Sequence, residues 1–129
     1  MSLDPQQSYV YLAEDGSSQC FSAETFWDQP PSDMDDAAGG GWLISEFSFL
    51  EDWPTWEMHP HADEFVYLLS GAVELHLEQA GGLQTIALSG SGAVVVPRGV
   101  WHTAKVHEPS RMLHVTRGAG TEIRPAGQA

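Results

Sequence analysis

From Trp42 onward the chain is written in period two. Apolar residues recur at alternate positions in short runs, and each run stops at glycine, proline or a small polar cluster. Val73, Leu75 and Leu77 alternate with Glu74, His76 and Glu78. Leu43, Phe47 and Phe49 fall on one face of their run, with Trp42, Ile44 and Glu46 on the other. Side chains two apart share a face of a strand, so this spacing predicts strands over residues 42–50, 55–59, 64–69, 72–79, 83–88, 93–97, 101–106 and 111–117. Turns fall between them, at 51–54, 60–63, 70–71, 80–82, 89–92, 98–100 and 107–110. No long stretch carries the 3.6-residue period of a helix. Many short strands with turn chemistry between them imply an all-β, antiparallel sandwich or barrel, and periodicity alone does not choose between the two.

The flanks read differently. Residues 8–13 predict a short strand. Residues 20–28, which hold Phe21, Phe26 and Trp27, fit either a strand or one turn of helix. Residues 29–41 combine prolines, glycines and three aspartates and predict a mobile loop. The expected organisation is therefore an N-terminal arm and acidic Gly/Pro loop over 1–41, a barrel over 42–117, and a C-terminal tail over 118–129 that pairs briefly at 121–124. The lone cysteine, Cys20, has no partner for an internal disulfide and is expected as a small hydrophobe in the core.

At 129 residues the chain is the size of one domain with its own core. Its 18 acidic residues against 5 basic ones give a formal charge of -13, and the first basic side chain is Arg98. Such a surface repels phosphate backbones, so no nucleic acid is expected as a partner. No apolar run approaches the roughly 20 residues that span a bilayer, and no basic-then-apolar leader opens the chain, so no membrane is expected either, and a cytoplasmic location is. The strand around residues 9–12 lacks a partner among the predicted strands, and edges of that kind are commonly covered by a second copy, so a homodimer is expected.

The densest chemistry lies between Trp56 and Gly71, where two imidazoles and three carboxylates crowd into a few residues before an apolar run. Groups packed that closely repel, compete or share a cation. The order Glu57, His59, Glu64, Gly71 resembles the first motif of the cupin family, and Pro97-Arg98-Gly99-Val100-Trp101-His102 resembles the second. The resemblance spans residues 42–117. It implies a small β-barrel of jelly-roll type, a double-stranded β-helix, with metal ligands drawn from adjacent strands into the interior.

The spacing has a physical sense of its own. Glu57 and His59 stand two apart and project to one face of a strand. After the reversal at 60–63, Glu64 opens the paired strand and returns to the same place, and His102, past a Pro-x-Gly turn, enters from a third. Two imidazoles and two carboxylates suit a divalent transition metal: Mn, Fe, Co, Ni or Zn. A register with His59 and His61 as the paired imidazoles is the alternative, and the resemblance favours Glu57 and His59, because the four-residue gap to Glu64 fits the loop of the cupin motif. The chain departs from the family pattern at Glu57, where the family usually has histidine, at Glu51 and Ser91, where the motifs commonly begin with glycine, and at Val106, where asparagine often closes the second. Glu57 paired instead with an internal arginine such as Arg111 is the metal-free alternative. Trp56, Met58 and Trp101 flank the ligand positions, as pocket mouth or as outer packing. Tyr67 and His114 are candidates to reach the cavity, against the plainer readings of core tyrosine and partly exposed histidine.

The resemblance implies a metal-dependent enzyme acting on a small organic molecule, most often a dioxygenase and less often an isomerase, lyase or decarboxylase. A non-catalytic small-molecule binding or sensing module is the second expectation.

Overall fold

The computed structural model describes residues 2–28 and 40–126. The expected loop over 29–41 falls, apart from Gly40 and Gly41, outside them. Nine strands form the fold: β1 (Ser8–Leu12), β2 (Ser18–Ser22), β3 (Trp42–Phe49), β4 (Thr55–Met58), β5 (Glu64–Gln79), β6 (Gly82–Ser89), β7 (Gly92–Val96), β8 (His102–Thr116) and β9 (Glu122–Pro125). One helical turn, α1 (Ala23–Phe26), follows β2, so the segment over 20–28 is strand and then helix. All pairings are antiparallel. The fold is the all-β jelly roll that the strand pattern and the resemblance imply. Among the described residues no helix is long and apolar enough to cross a membrane.

Two long strands organise everything else. β5 and β8 pair along nearly their whole length, from Phe65 opposite Val115 to Leu77 opposite His102. The expected breaks at 70–71 and 107–110 are not turns, because the ladder continues through them with shifts of register. Between the Leu68–Met112 and Val73–Val106 pairs, β8 carries one more residue than β5, the signature of a bulge. An odd offset exchanges the two faces of a strand. Val66 and Leu68 therefore point inward before the bulge, and Val73, Leu75 and Leu77 point inward after it. All five join one core with Trp53, Val96, Ala104 and Met112. Each fully buried aliphatic side chain there is worth about 1.5–3 kcal/mol over exposure.

Around this ribbon, β3 pairs with the C-terminal part of β8 and β4 with its start, while β7 and β6 pair with the two halves of β5. The run 93–97 reads as continuously apolar, yet only Val96 of β7 is buried and Val95 is 57% exposed, because the strand has a solvent face. β9 pairs with β4, so the tail is part of the sheet. Arg124 on β9 lies over the rings of both Trp56 and Trp101 and ion-pairs with Glu78, which makes those two tryptophans outer packing.

The N-terminal arm corrects two expectations. β1 pairs with both β2 and β3, so the strand around residues 9–12 finds its partners within its own chain, and the reason for expecting a homodimer is removed. Cys20 is exposed on β2 and is not a core residue. The arm's buried face is aromatic: Tyr9, Tyr11 and Phe26 cluster with Leu43.

Gly71 sits in the bulge with φ +103°, and a Cβ there would lie 2.2 Å from Ser110 Oγ and 2.5 Å from the Pro109 carbonyl oxygen. Gly71→Ala should therefore lower stability by about 2 kcal/mol or more, through left-handed strain and clash together. Gly81→Ala, with open space around the new methyl, should be close to neutral. Urea midpoints of the two variants check this, and equal midpoints would refute it.

Candidate metal centre and cavity

Glu57 lies on β4 and His59 just beyond it, Glu64 starts β5, and His102 starts β8 opposite Glu57. The loops that carry them are tied together. The Gly99 amide donates to the His59 carbonyl at 2.9 Å, and the Arg98 amide donates to Asp63 Oδ1 at 3.0 Å. The turn of the second motif thereby holds the hairpin of the first in place.

The structure brings Glu57, His59 and His102 into one group and sets Glu64 beside the two imidazoles. Ligand atoms of Glu57, His59 and His102 lie within 4.8 Å of one another. Glu64 Oε1 stands 3.1 Å from His102 Nε2 and 3.5 Å from His59 Nε2. His59, Glu64 and His102 are buried, and Glu57 is half-buried. His61 is exposed and takes no place in the cluster, so the His59/His61 register is not the one the fold builds. Arg111 pairs with the buried Glu46 at 2.8 Å, not with Glu57.

The outer hydrogen bonds fix which nitrogen of each imidazole faces inward. His102 Nδ1 lies 3.1 Å from the Val100 carbonyl, which can only accept, so Nδ1 carries the proton. The Thr121 hydroxyl donates to the Gly118 carbonyl at 2.7 Å and therefore accepts from His59 Nδ1, also at 2.7 Å. In the neutral rings both Nε2 atoms are then lone pairs directed at a carboxylate. His59 Nε2, His102 Nε2 and Glu64 Oε1 are all buried without a hydrogen-bond partner among the described residues. In that tautomer three acceptors converge, an arrangement that a shared proton or a metal cation satisfies, and imidazole nitrogen with carboxylate oxygen is a fitting donor set for a divalent transition metal. The other Glu64 oxygen accepts from Thr116 Oγ1 at 2.6 Å, which orients the carboxylate.

Two residues of the site escape the motif spacing. His114 is buried on β8 with Nδ1 3.5 Å from Glu64 Oε2, and it is a lining residue of the cavity, not a partly exposed one. Thr121 lies between β8 and β9. The even-numbered inward face of β8, shared by His102, Ala104 and Met112, was the signal for His114. Nothing in the sequence marks Thr121. Tyr67 does not line the cavity.

That cavity has a volume of about 460 Å³, within the range of small-molecule sites. The cluster residues Glu57, His59 and Glu64 stand in its wall together with Ser45, Thr55, Thr116 and Thr121. The rest of the wall is largely aromatic: Tyr11, Phe26 and Trp27 from the arm, with Phe47, Phe49 and Trp53. The arm and the tail thus complete a pocket whose carboxylate and imidazole residues come from the barrel.

The site and fold define a jelly-roll barrel with a carboxylate–imidazole cluster opening into an aromatic cavity. The family model for the cupin domain matches residues 51–116, more than half of the chain. The chain belongs to the cupin family. Its structure is similar to that of a cupin-2 domain protein from Shewanella frigidimarina, at 19% identity and TM-score 0.50, over 58% of this chain and 69% of that one. A cupin superfamily protein from Desulfitobacterium hafniense is similar at 24% identity and TM-score 0.50, over 58% of this chain and 65% of that one. So is a hydroquinone 1,2-dioxygenase in complex with Cd2+ and 4-hydroxybenzonitrile, at 15% identity and TM-score 0.50, over 58% of this chain and 56% of that one. At these identities the likeness is one of fold. Among curated proteins none matches this chain in sequence.

Burial pushes the Glu64 carboxyl up, but the imidazoles of His102, His114 and His59 outweigh it and hold the group well below its ordinary value of 4.5. Burial pushes His102 down, and the Glu64 carboxylate beside it more than offsets this, leaving it above 6.5. In metal-stripped protein the Glu64 contribution to stability is present above about pH 4.5 and lost as pH falls through the depressed folded value. The His102 contribution is present below about pH 6.5 and lost as pH rises through the elevated one. Melting temperature after chelation should therefore peak between those limits, and Glu64→Gln should flatten both limbs. A wild-type profile that is flat from pH 4 to 8, on the order of those limits, would count against this.

Proposed function

We propose that this cupin binds a divalent transition metal through Glu57, His59, Glu64 and His102 and acts on a small organic molecule held in the adjoining cavity. The observation that carries the reading is the convergence of buried acceptors with no donor between them, at the wall of a cavity large enough for a substrate. A bound dication supplies Lewis acidity and coordination positions for substrate or oxygen. The chain's own residues do the rest. Val100 and Thr121 hold the two imidazoles in the ligating tautomer, Thr116 orients Glu64, and the aromatic wall excludes water. The class of reaction we favour is metal-dependent oxygenation or isomerisation, and the hydroquinone 1,2-dioxygenase in complex with Cd2+ among the structural neighbours supports the first of these.

Metal analysis of protein purified without added metal tests the binding. About one equivalent of a transition metal per chain is expected, lost in His59→Ala and His102→Ala. Less than about 0.2 equivalents, unchanged by reconstitution, would overturn the reading. A non-catalytic binding role is separated from it by oxygen-consumption and product assays on any ligand that binds.

Thr121 gives a finer test, because it touches the ring nitrogen of His59 that faces away from the cluster. Thr121→Val should weaken metal affinity about 10–100-fold with the fold intact, and Thr121→Ser should restore it. Metal competition titrations with a chromogenic chelator read the difference. Equal affinity in all three proteins would remove Thr121 from the site.

A further inference from the structure

We infer that the ligand of this cavity is a neutral aromatic molecule bearing a hydroxyl group, and not a carboxylic acid. The inference rests on the reading of the cavity as the ligand site and adds the chemistry of its occupant. Three observations carry it.

The first is charge. No lysine or arginine lines the cavity among the described residues, while Glu57 and Glu64 both do. A dication held by two carboxylates is formally neutral, so neither the protein nor its metal offers net positive charge to an anion. A carboxylate entering this space would shed its hydration without a counter-charge, and the ionised form of a ligand is excluded on that ground.

The second is shape and surface. Six aromatic side chains, Tyr11, Phe26, Trp27, Phe47, Phe49 and Trp53, are the largest group in the wall, and edge-to-face or offset contact with such rings is the natural environment of a flat ring. An aliphatic chain would fill the volume without those contacts.

The third is the set of polar atoms. In the metal-loaded protein the cluster acceptors His59 Nε2 and Glu64 Oε1 are taken by the cation, so the polar match to a ligand falls on the metal and on other lining residues. Two other lining residues hold a buried, unpartnered nitrogen: Trp53 Nε1, a donor, and His114 Nε2, an acceptor once Nδ1 faces Glu64. A hydroxyl both donates and accepts and also coordinates a metal. A carboxylate cannot donate, and an ether cannot either.

Binding of three naphthalenes to the metal-replete protein, by titration calorimetry at pH 7, tests this. Naphthol should bind at one site per chain, methoxynaphthalene about tenfold more weakly because a donor is lost, and naphthoate at least about thirtyfold more weakly because a charge is buried without compensation. Ser45→Phe fills the cavity from the β3 wall at a position paired with His114, not with a metal-binding residue, and it should abolish naphthol binding while metal content stays unchanged. Equal binding of naphthoate and naphthol, equal binding of naphthol and its methyl ether, unimpaired naphthol binding by the Ser45→Phe protein, or no binding of any of the three would each overturn the inference. Metal content measured on the same samples keeps the two readings apart. Full metal occupancy with the wrong ligand order discards the ligand and keeps the metal site, whereas absence of metal discards the site reading itself.

Discussion

Everything near the site depends on one electrostatic constraint: lone pairs face lone pairs in a space closed to water. Glu64 Oε1 meets two imidazole nitrogens whose protons are committed elsewhere, to the Val100 carbonyl and the Thr121 hydroxyl. Left alone, such a cluster is destabilising, because each buried acceptor has given up water for nothing. A cation reverses the sign of the arrangement, and then the same burial that was unfavourable strengthens the interaction. A proton on His102 plays the smaller version of that part, which is why the carboxyl sits low and the imidazole high.

The constraint has to be built mechanically, and the bulge in the β5–β8 ribbon builds it. Without the odd offset, the inward face of β5 would pass from Val66 and Leu68 to Ala72 and Glu74, placing a carboxylate in the aliphatic core. With it, Val73, Leu75 and Leu77 turn inward and the ribbon carries one core through both halves. The same ribbon carries His102 at the start of β8 and His114 near its end, and both imidazoles reach Glu64. Gly71 is needed at the bulge because its backbone has φ +103° and its α-carbon is pressed against Ser110.

How much of this could be read beforehand follows from range. Strand identity is a matter of neighbours two apart, so the run Val73–Leu75–Leu77 and the pairing of Glu57 with His59 on one face were legible. The turn signals at Ser70-Gly71 and at His107-Glu108-Pro109-Ser110 were read as chain reversals, whereas the structure uses them as kinks inside continuous strands. Local sequence does not distinguish the two, because both need the same unusual backbone. β1 showed no partner in the sequence because its partners β2 and β3 lie on either side of a turn and of the loop over 29–41, and pairing across such gaps leaves no periodic trace. His114 was visible as a candidate and read as the blander option. Thr121 was invisible, since a hydroxyl that fixes a tautomer is chosen by geometry across 62 residues of chain and not by any spacing.

The cluster member that most changes the chemistry is Glu57, a carboxylate on β4 beside His59 and opposite His102. An imidazole there would leave a dication with net positive charge, and anionic substrates would be drawn to it. A carboxylate cancels that charge and donates more electron density, which weakens the centre as a Lewis acid toward bound water. With a dication in the cluster the balance would shift from attracting charged ligands to holding neutral ones by surface contact, and the aromatic wall beside the cluster fits such a balance. The arm contributes Tyr11, Phe26 and Trp27 to that wall from outside the matched cupin region, as the tail contributes Thr121. A site of lower charge and greater apolar contact is thus specified jointly, by one residue within the family motif and by the two flanking segments that the motif does not include.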